Sequence, residues 1–334
     1  MFHVPAGALV VPSSFLDMQN VINCSGFVPV PAAKLPMISA RAKLAQTTVV
    51  FGTNDEIAAA IKSWGSNPVV SVGAQRDDAS VSFPSDFPLA FLERMSAPSP
   101  VKAMVVGDVH NCHRTLRSLL CSLNITEGAP TWKDPLLVFV GDLVDKGGSQ
   151  DSDVIETIRL VKHLTECGQA VVVRGNHEQM LSRRFMELHP ATASSQRSLD
   201  ALAAVEDGAD LAKWLGSRPL VFELPRVDDK RVVVAHANMT ASAFEHGARA
   251  QRLAEQACLF GRRTGTPFSG VLVHGHWEVS EVEVHADSAM VRVNVDTGAC
   301  LGNKLSAFDA SVPVCSSSPS VVCVDTVQDD LKRC

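Results

Sequence analysis

The sequence lacks the long apolar run and the basic excess that mark two large classes of protein. No apolar stretch approaches the roughly 18 residues that a membrane-spanning helix needs, so we expect no membrane association. Lys and Arg total 30 against 36 Asp and Glu, and the formal net charge is −6. Because counterion release requires a basic face, this balance argues against an extended nucleic-acid surface. Tyrosine is absent from the 334 residues.

Paired cysteines are also missing. The nine cysteines are odd in number and scattered, and they contain no Cys-x-x-Cys pair, a pattern unfavourable for a disulfide framework or a structural zinc site. No Lys or Arg precedes the short apolar stretch 6–11, so we expect no secretory signal peptide. Both features predict reduced thiols and a cytoplasmic localisation.

The chain changes in texture near residue 100. Residues 97–100, Ala-Pro-Ser-Pro, are typical of a linker. Ten of the 18 prolines lie in the first 100 residues. The preceding region, 1–97, contains no catalytic motif, so its fold and role stay open. Binding of a protein partner is one role that we expect for it. We predict a catalytic domain over 101–308 and a C-terminal tail over 309–334.

Within 101–308, short Val-rich runs recur, and each is followed within two residues by Gly, Asp, His or Asn. Such continuous apolar runs predict strands buried on both faces of a sheet. They are 103–106, 136–140, 171–173, 232–235 and 270–273. Helical spacing lies between them, as at Ile155, Ile158 and Val161 before the stop at Gly168. This alternation predicts an α/β layered fold with ligands bound beyond the carboxyl ends of the strands.

Five polar clusters follow five of these strands. The clusters are 107–110 (Gly-Asp-Val-His), 141–147 (Gly-Asp-Leu-Val-Asp-Lys-Gly), 175–178 (Gly-Asn-His-Glu), 235–237 (Ala-His-Ala) and 274–277 (His-Gly-His-Trp). Carboxylate, amide and imidazole ligands suit manganese, iron, zinc or cobalt and do not select copper. A single Asp or His at a strand end is most often a cap, so the ordered set carries the prediction.

We predict a centre of two divalent metal ions, with manganese as the first candidate and iron, zinc or cobalt as alternatives. A metal pair can hold a bridging hydroxide for direct in-line attack on phosphorus, which requires one ligand that touches both metals. Asp142 is the predicted bridge. Asp108 and His110 complete the first metal site. The second site takes Asn176, His236 and His276.

Four further side chains have predicted roles at this centre. His177 is the predicted general acid for the leaving group, and Asp145 fixes its tautomer and stabilises its charged form. Arg174 and Lys146 flank the site and are predicted to hold phosphate oxygens.

Three of the motifs resemble those of a known family. Residues 107–110, 141–147 and 174–178 are similar to the GDxHG, GDxVDRG and RGNHE signatures of the phosphoprotein-phosphatase branch of calcineurin-like metallophosphoesterases. The resemblance covers about 101–308. It implies a central β-sandwich flanked by helices in four layers, with a smaller N-terminal region of unknown fold. It also implies a two-metal centre, carries over the metal ligands named above, and supports His177 with Asp145 as the acid pair.

Within that branch, the sequence most resembles bacterial diadenosine tetraphosphate hydrolases and ApaH-like phosphatases. The segments 107–112 (GDVHNC), 275–277 (GHW) and 296–302 (DTGACLG) carry this likeness. Two positions depart from the family pattern: Asn111 stands where these families have Gly, and Gly148 stands where they often have Pro.

Three functions follow as hypotheses. The first is a phosphatase of phosphomonoesters such as phosphoserine and phosphothreonine proteins, favoured by the Asp145–His177 pair. The second is a hydrolase of nucleotide substrates, either dinucleoside polyphosphates or capped RNA ends, favoured by Trp277 and the segment 296–302. The third is a non-catalytic scaffold on a phosphatase fold. The third is disfavoured because every metal-ligand position holds a competent residue.

Overall fold

The structure, a computed structural model, describes most of the chain from residue 102 onward. The described ranges are 102–125, 134–187, 195–244, 248–262, 268–287, 290–314 and 318–331, together with four short strands in the N-terminal region. Those strands are β1 (Leu9–Val10), β2 (Val49–Val50), β3 (Ser71–Gly73) and β4 (Ser80–Ser82). β1 pairs with β2 in parallel, and β3 pairs with β4 antiparallel. The rest of 1–97 lies outside the described residues, so its role stays a prediction.

The first large sheet has the strand order β14-β13-β5-β6-β7. Its strands are β5 (Ala103–Val106), β6 (Leu136–Phe139), β7 (Ala170–Val172), β13 (Lys304–Asp309) and β14 (Val321–Asp325). β5, β6 and β7 are parallel, as the Val-rich runs predict, and β13 and β14 are added antiparallel. Every residue of β5, β6 and β7 is buried, as in a sheet that is covered on both faces.

The second large sheet has the strand order β11-β12-β10-β9-β8. Its strands are β8 (Val221–Val227), β9 (Lys230–Ala235), β10 (Gly270–His274), β11 (Glu283–Ala286) and β12 (Met290–Asn294). β9, β10 and β12 are parallel, while β8 and β11 form antiparallel edges. In the sequence, residues 281–284 and 290–295 alternate apolar and polar with period two, which predicts a hairpin, and β11 and β12 form such an antiparallel pair at one edge of this sheet.

Six α-helices lie in the described part of the chain. They are α1 (His113–Ser122), α2 (Asp151–Glu166), α3 (Asn176–Glu187), α4 (Gln196–Ala203), α5 (Gly208–Gly216) and α6 (Ala248–Phe260). Leu116 of α1 and Ile158 of α2 belong to one buried apolar cluster with Met104 and Phe139 of the first sheet. This cluster is the main core of the domain. The two sheets and six helices confirm the mixed α/β class predicted from the sequence.

The segment predicted as a C-terminal tail takes part in this fold. β14 pairs with β13 along the edge of the first sheet, from Val321 opposite Phe308 to Asp325 opposite Lys304. Farther along, the buried Asp330 carboxylate accepts hydrogen bonds from the backbone N–H of Thr115 at 2.7 Å and from its hydroxyl at 2.7 Å. β14 thus forms an edge of the first sheet, and Asp330 holds the start of α1. The boundary between the catalytic domain and the C-terminal segment stays a prediction.

No helix in the described ranges is both long enough and apolar enough to cross a bilayer.

Candidate active site

The loops after the strands of both sheets meet at one place. Asp108 follows β5 and Asp142 follows β6, and the Asp142 carbonyl accepts the backbone N–H of His110 at 2.9 Å. From the second sheet, the backbone N–H of His276 donates to Oδ2 of Asp108 at 3.2 Å. The carboxyl ends of the strands therefore bring the predicted residues together, as expected for this class of sheet.

Asp142 lies at the centre of the site. His110 Nε2 is 3.5 Å from Asp142 Oδ2, and His236 Nε2 is 3.4 Å from Asp142 Oδ1. Two groups of side chains have ligand atoms within 4.8 Å of one another: one contains His110, Asp142 and His177, and the other contains Asp142, His236 and His276. Asp142 is common to both groups, which is the position that a bridging carboxylate requires.

Three ligand atoms converge beside Asp142. Asn176 Oδ1 lies 2.8 Å from His236 Nε2 and 3.0 Å from His276 Nδ1, and the two imidazole nitrogens are 3.1 Å apart. His236 Nδ1 lies 3.0 Å from the carbonyl oxygen of Val140, which can only accept a hydrogen bond, so Nδ1 carries the proton. His236 Nε2 therefore presents a lone pair to the Asn176 oxygen. A cation bound among these atoms would satisfy all of them, so the donor set fits a divalent metal.

The protonation states of the histidines agree with this assignment. Burial lowers the pKa of His110 to about 3 and that of His276 to about 4, and it also lowers the pKa of His236. His110 Nδ1 faces the Val144 carbonyl at 2.8 Å, while its buried Nε2 has no hydrogen-bond partner. A neutral imidazole with a free Nε2 is the form that binds a metal.

Asp108 completes the other side of the site. Its Oδ2 lies 4.0 Å from His110 Nε2. Burial raises the pKa of Asp108, and the nearby Asp296 and Asp142 carboxylates raise it further. Buried carboxylates this close together repel one another unless a positive charge lies among them, so this arrangement also fits metal binding.

His177 and Asp145 form a close pair at the edge of the cluster. His177 Nδ1 lies 2.7 Å from Asp145 Oδ2, and His177 Nε2 lies 3.8 Å from Asp142 Oδ2. Burial opposes the charged form of His177, but the Asp142 and Asp145 carboxylates outweigh it, so the pKa of His177 is raised. The imidazole is thus held in one orientation, with Nε2 toward the reaction centre.

The loops of the site depend on backbone conformations that side chains rarely adopt. Asn111 has a φ of 61°, in the left-handed region, and its Nδ2 donates to the Asp145 carbonyl at 3.1 Å. Asparagine tolerates this region better than most residues, so Asn111 can take the place of the family's glycine. The same side chain also ties the first loop to the residue that orients His177.

Glu178, the last residue of the cluster 175–178, has no role predicted from the sequence, yet it holds two loops of the site. Its buried carboxylate accepts the backbone N–H groups of Asp142 (2.7 Å), Leu143 (2.7 Å) and Gly175 (2.9 Å). Burial raises the pKa of Glu178 to about 7, while these donors favour its ionised form. A Glu at the third position of α3 that bonds back to Gly175 matches one half of a capping box, and that signal could have revealed it.

The two predicted phosphate-binding side chains differ in their surroundings. Lys146 Nζ lies 3.3 Å from Glu278 Oε1; burial disfavours its charge, but Asp142 and other nearby groups raise its pKa. Arg174 instead donates from Nη1 to the Gly216 carbonyl at 2.7 Å, at the end of α5. The structure therefore places the Lys146 ammonium beside the cluster and anchors the Arg174 guanidinium to a helix end.

Comparison with known proteins agrees with the fold and the motifs. The sequence model of the calcineurin-like phosphoesterase family matches residues 101–298. The chain is 32% identical over 144 residues to a symmetrical bis(5'-nucleosyl)-tetraphosphatase of Colwellia psychrerythraea. That match covers 42% of this chain and 45% of the relative, so the chain spans less than half of that protein.

A second relative and a solved structure extend the comparison. The chain is 27% identical over 227 residues to the asymmetrical bis(5'-nucleosyl)-tetraphosphatase PrpE of Halalkalibacterium halodurans, covering 61% of this chain and 88% of the relative. The structure of a cold-active protein-tyrosine phosphatase from a Shewanella species has 15% identity and a TM-score of 0.44, and the match covers 72% of this chain and 85% of that one. On the family match, the chain belongs to the calcineurin-like phosphoesterase family and is a metal-dependent hydrolase.

Proposed function

We propose that this protein hydrolyses dinucleoside polyphosphates. The observation that carries the proposal is the similarity to two kinds of bis(5'-nucleosyl)-tetraphosphatase, one of them matched over 88% of its length. From the sequence alone, phosphomonoesters such as phosphoproteins are the first substrate class and nucleotides the second. The relatives support the second hypothesis better. The Asp145–His177 pair keeps phosphomonoesters as the second candidate, because a leaving alkoxide needs a proton.

The proposed ligands divide into two sets that share Asp142. Asp108, His110 and Asp142 would hold one divalent cation, and Asn176, His236 and His276 would hold the other together with Asp142. We propose manganese as the metal, with iron, zinc and cobalt as alternatives. When bound, such a pair acts as a Lewis acid on the phosphoryl group and clamps the entering and leaving oxygens. These side chains would hold the two cations, and the Glu178 carboxylate holds the loop that carries Asp142 through the backbone N–H groups of Asp142 and Leu143.

His177 would supply the proton in this reaction. Nδ1 is held at Asp145 Oδ2, so the second proton of the charged imidazole resides on Nε2, which faces the centre. A nucleotide leaving group is a weaker base than an alkoxide and depends less on that proton. His177 and Asp145 would therefore matter most for the phosphomonoester reaction and less for the cleavage of a polyphosphate.

Charge on the substrate would be met mainly by Lys146. Its ammonium group contacts Glu278, which a phosphate chain could displace, and it faces the Asp142 side of the cluster. Arg174 also keeps its proposed role, but it must leave the Gly216 carbonyl or reach past it to contact a phosphate.

The test is a comparison of substrates in the presence of Mn²⁺. Diadenosine tetraphosphate, a phosphoserine peptide and p-nitrophenyl phosphate are assayed in parallel, with Asp108→Asn protein as the blank. We expect the highest kcat/KM on the dinucleotide and loss of bound metal in the blank. A clear preference for the phosphopeptide would contradict the proposal in favour of the phosphomonoester function. Absence of turnover above the blank on every substrate would favour the scaffold function.

Two further expectations are also proposals. Six cysteines in the described part are free thiols, which supports a reducing compartment such as the cytoplasm. Region 1–97 is proposed to bind a protein partner, and a pull-down with and without that region would test it.

A further inference from the structure

Trp277 is an exposed aromatic side chain at the mouth of the site. In the described part of the chain, five large apolar side chains are exposed, and Trp277 retains 46% of its surface. The indole lies directly after the proposed metal ligand His276, with the two ring centroids 5.4 Å apart. A large aromatic surface left open to solvent beside a reaction centre is typical of a binding surface.

The indole is held in place although it is exposed. Its ring makes an edge-to-face contact with the buried His274 at 5.8 Å. Gly261, with a φ of +67°, lies against the indole so closely that a Cβ there would come within 2.3 Å of Trp277 Cζ2. On the backbone side, Asn294 Nδ2 donates to the Trp277 carbonyl at 2.7 Å. A rigid ring loses little entropy when a ligand stacks on it.

We infer that Trp277 is the stacking surface for one nucleobase of the substrate. The inference rests on the proposed function and deepens it, because it assigns a residue to the nucleoside and not to the phosphates. A base stacked on Trp277 places its phosphate chain toward His276 and the metal ligands. The Lys146 ammonium, which pairs with the residue after Trp277, is then available to the same chain.

A purely structural role would predict a different environment. Trp214, for comparison, packs into the core with 7% of its surface exposed and stacks with Arg218, whose guanidinium lies 4.7 Å from the ring centroid. Trp277 makes anchoring contacts as a packed residue does, yet 46% of its surface remains exposed to solvent. Stacking on an aromatic ring is also tolerant of the identity of the base, so Trp277 would favour nucleotides over base-free polyphosphates and would not select adenine.

The experiment measures how strongly the enzyme prefers a nucleotide over the same bond without a base. For unchanged protein, Trp277→Ala and Trp277→Phe, kcat/KM is measured on diadenosine tetraphosphate and on inorganic tripolyphosphate with Mn²⁺. The affinities for ADP and pyrophosphate are measured by calorimetry on the metal-loaded proteins. Met186→Ala is the matched control, because Met186 is 54% exposed at the far end of α3.

We expect Trp277→Ala to lower the dinucleotide-to-tripolyphosphate ratio, and the ADP-to-pyrophosphate affinity ratio, by about tenfold to a hundredfold, in KM more than in kcat. Trp277→Phe should restore most of both ratios, and Met186→Ala should change neither. If both ratios stay the same in Trp277→Ala while the unchanged protein cleaves the dinucleotide, the inference is wrong and the proposed function stands. Leu301→Ala is measured as well, because Leu301 is 63% exposed and lies in the segment 296–302. If the ratios fall in Leu301→Ala and not in Trp277→Ala, the base stacks elsewhere and the inference is wrong. Failure of the unchanged protein to cleave the dinucleotide would overturn the proposed function itself.

Discussion

The Glu178→Gln variant tests whether the Glu178 carboxylate holds the loops of the site in position. The Glu178 carboxylate accepts three buried backbone N–H groups, two at Oε2 and one at Oε1. In the Gln variant the amide oxygen can replace Oε2, but the Leu143 N–H then faces an NH₂ group. One unsatisfied buried donor costs about 1–3 kcal/mol, out of a typical 5–15 kcal/mol for folding. Glu178→Ala removes both acceptor oxygens and leaves all three N–H groups unsatisfied, at a cost of roughly 3–9 kcal/mol. That loss risks unfolding, so Gln is the informative change.

The function-specific part of this prediction concerns Asp142. Asp142 has a φ of 50°, and a non-glycine residue in that region costs about 1–3 kcal/mol that its surroundings must offset. Weakening the Glu178 contact should let Asp142 relax and lower Mn²⁺ affinity by about tenfold, the equivalent of about 1.4 kcal/mol. Urea denaturation gives the stability loss, and calorimetric titration of the metal-free protein gives the affinity.

A matched variant separates positioning from general destabilisation. Glu223 is partly buried, and its carboxylate accepts two hydrogen bonds from the Arg231 guanidinium, at 2.9 and 2.8 Å, between β8 and β9. Glu223→Gln should lower stability by a similar amount and leave Mn²⁺ affinity unchanged. If Glu178→Gln loses stability but binds Mn²⁺ as tightly as Glu223→Gln does, the positioning argument is refuted.

Three other predictions concern separate parts of the chain. His177→Asn should slow substrates with basic leaving groups by about 10²-fold or more but slow p-nitrophenyl phosphate much less, as initial rates will show; equal losses on both would contradict the acid role. Asp330→Ala should cost roughly 2–6 kcal/mol in urea denaturation, because the Thr115 N–H and hydroxyl lose their acceptor; an unchanged midpoint would mean that the C-terminal segment does not stabilise the domain. Burial raises the pKa of Cys300 to about 11. Peptide mapping after alkylation at pH 8 should therefore find the exposed Cys121 modified first, and the alkylation rate of Cys300 should rise about tenfold per pH unit. Equal alkylation rates for the two thiols would contradict this prediction.

The parts of the fold that the sequence predicted are those with local signals. The strands at 103–106, 136–140 and 270–273 are apolar, short and ended by Gly, Asp or His, and the structure contains each of them. Since parallel strands of one sheet end at one edge, residues predicted only by their order in the chain, such as Asp108 and Asp142, meet in space. The prediction that Asp142 is the shared ligand came from chemistry, because a two-metal centre would need one carboxylate able to reach both ions.

The parts that the sequence did not predict depend on partners distant in the chain. β13 pairs antiparallel with β5, with Ala307 opposite Val106, and no local pattern specifies that partner. In the same way, Asp330 bonds to a residue 215 positions away. The Arg174 side chain is a similar case, since its carbonyl partner lies at the end of a helix that the sequence argument did not place.

Backbone strain makes the site depend on residues that are not themselves proposed metal ligands. Nine non-glycine residues of the described part have a positive φ, and six lie in the loops of the site. The six are His110, Asn111, Asp142, Asp145, Lys146 and His276. Glycine would adopt these conformations at lower cost but would carry no ligand, acid partner or ammonium group. The strain must therefore be offset nearby, by the Glu178 carboxylate at Asp142 and by the Asn111 amide at Asp145. Substitutions at these two supporting residues should consequently disturb the chemistry of ligands that they do not replace.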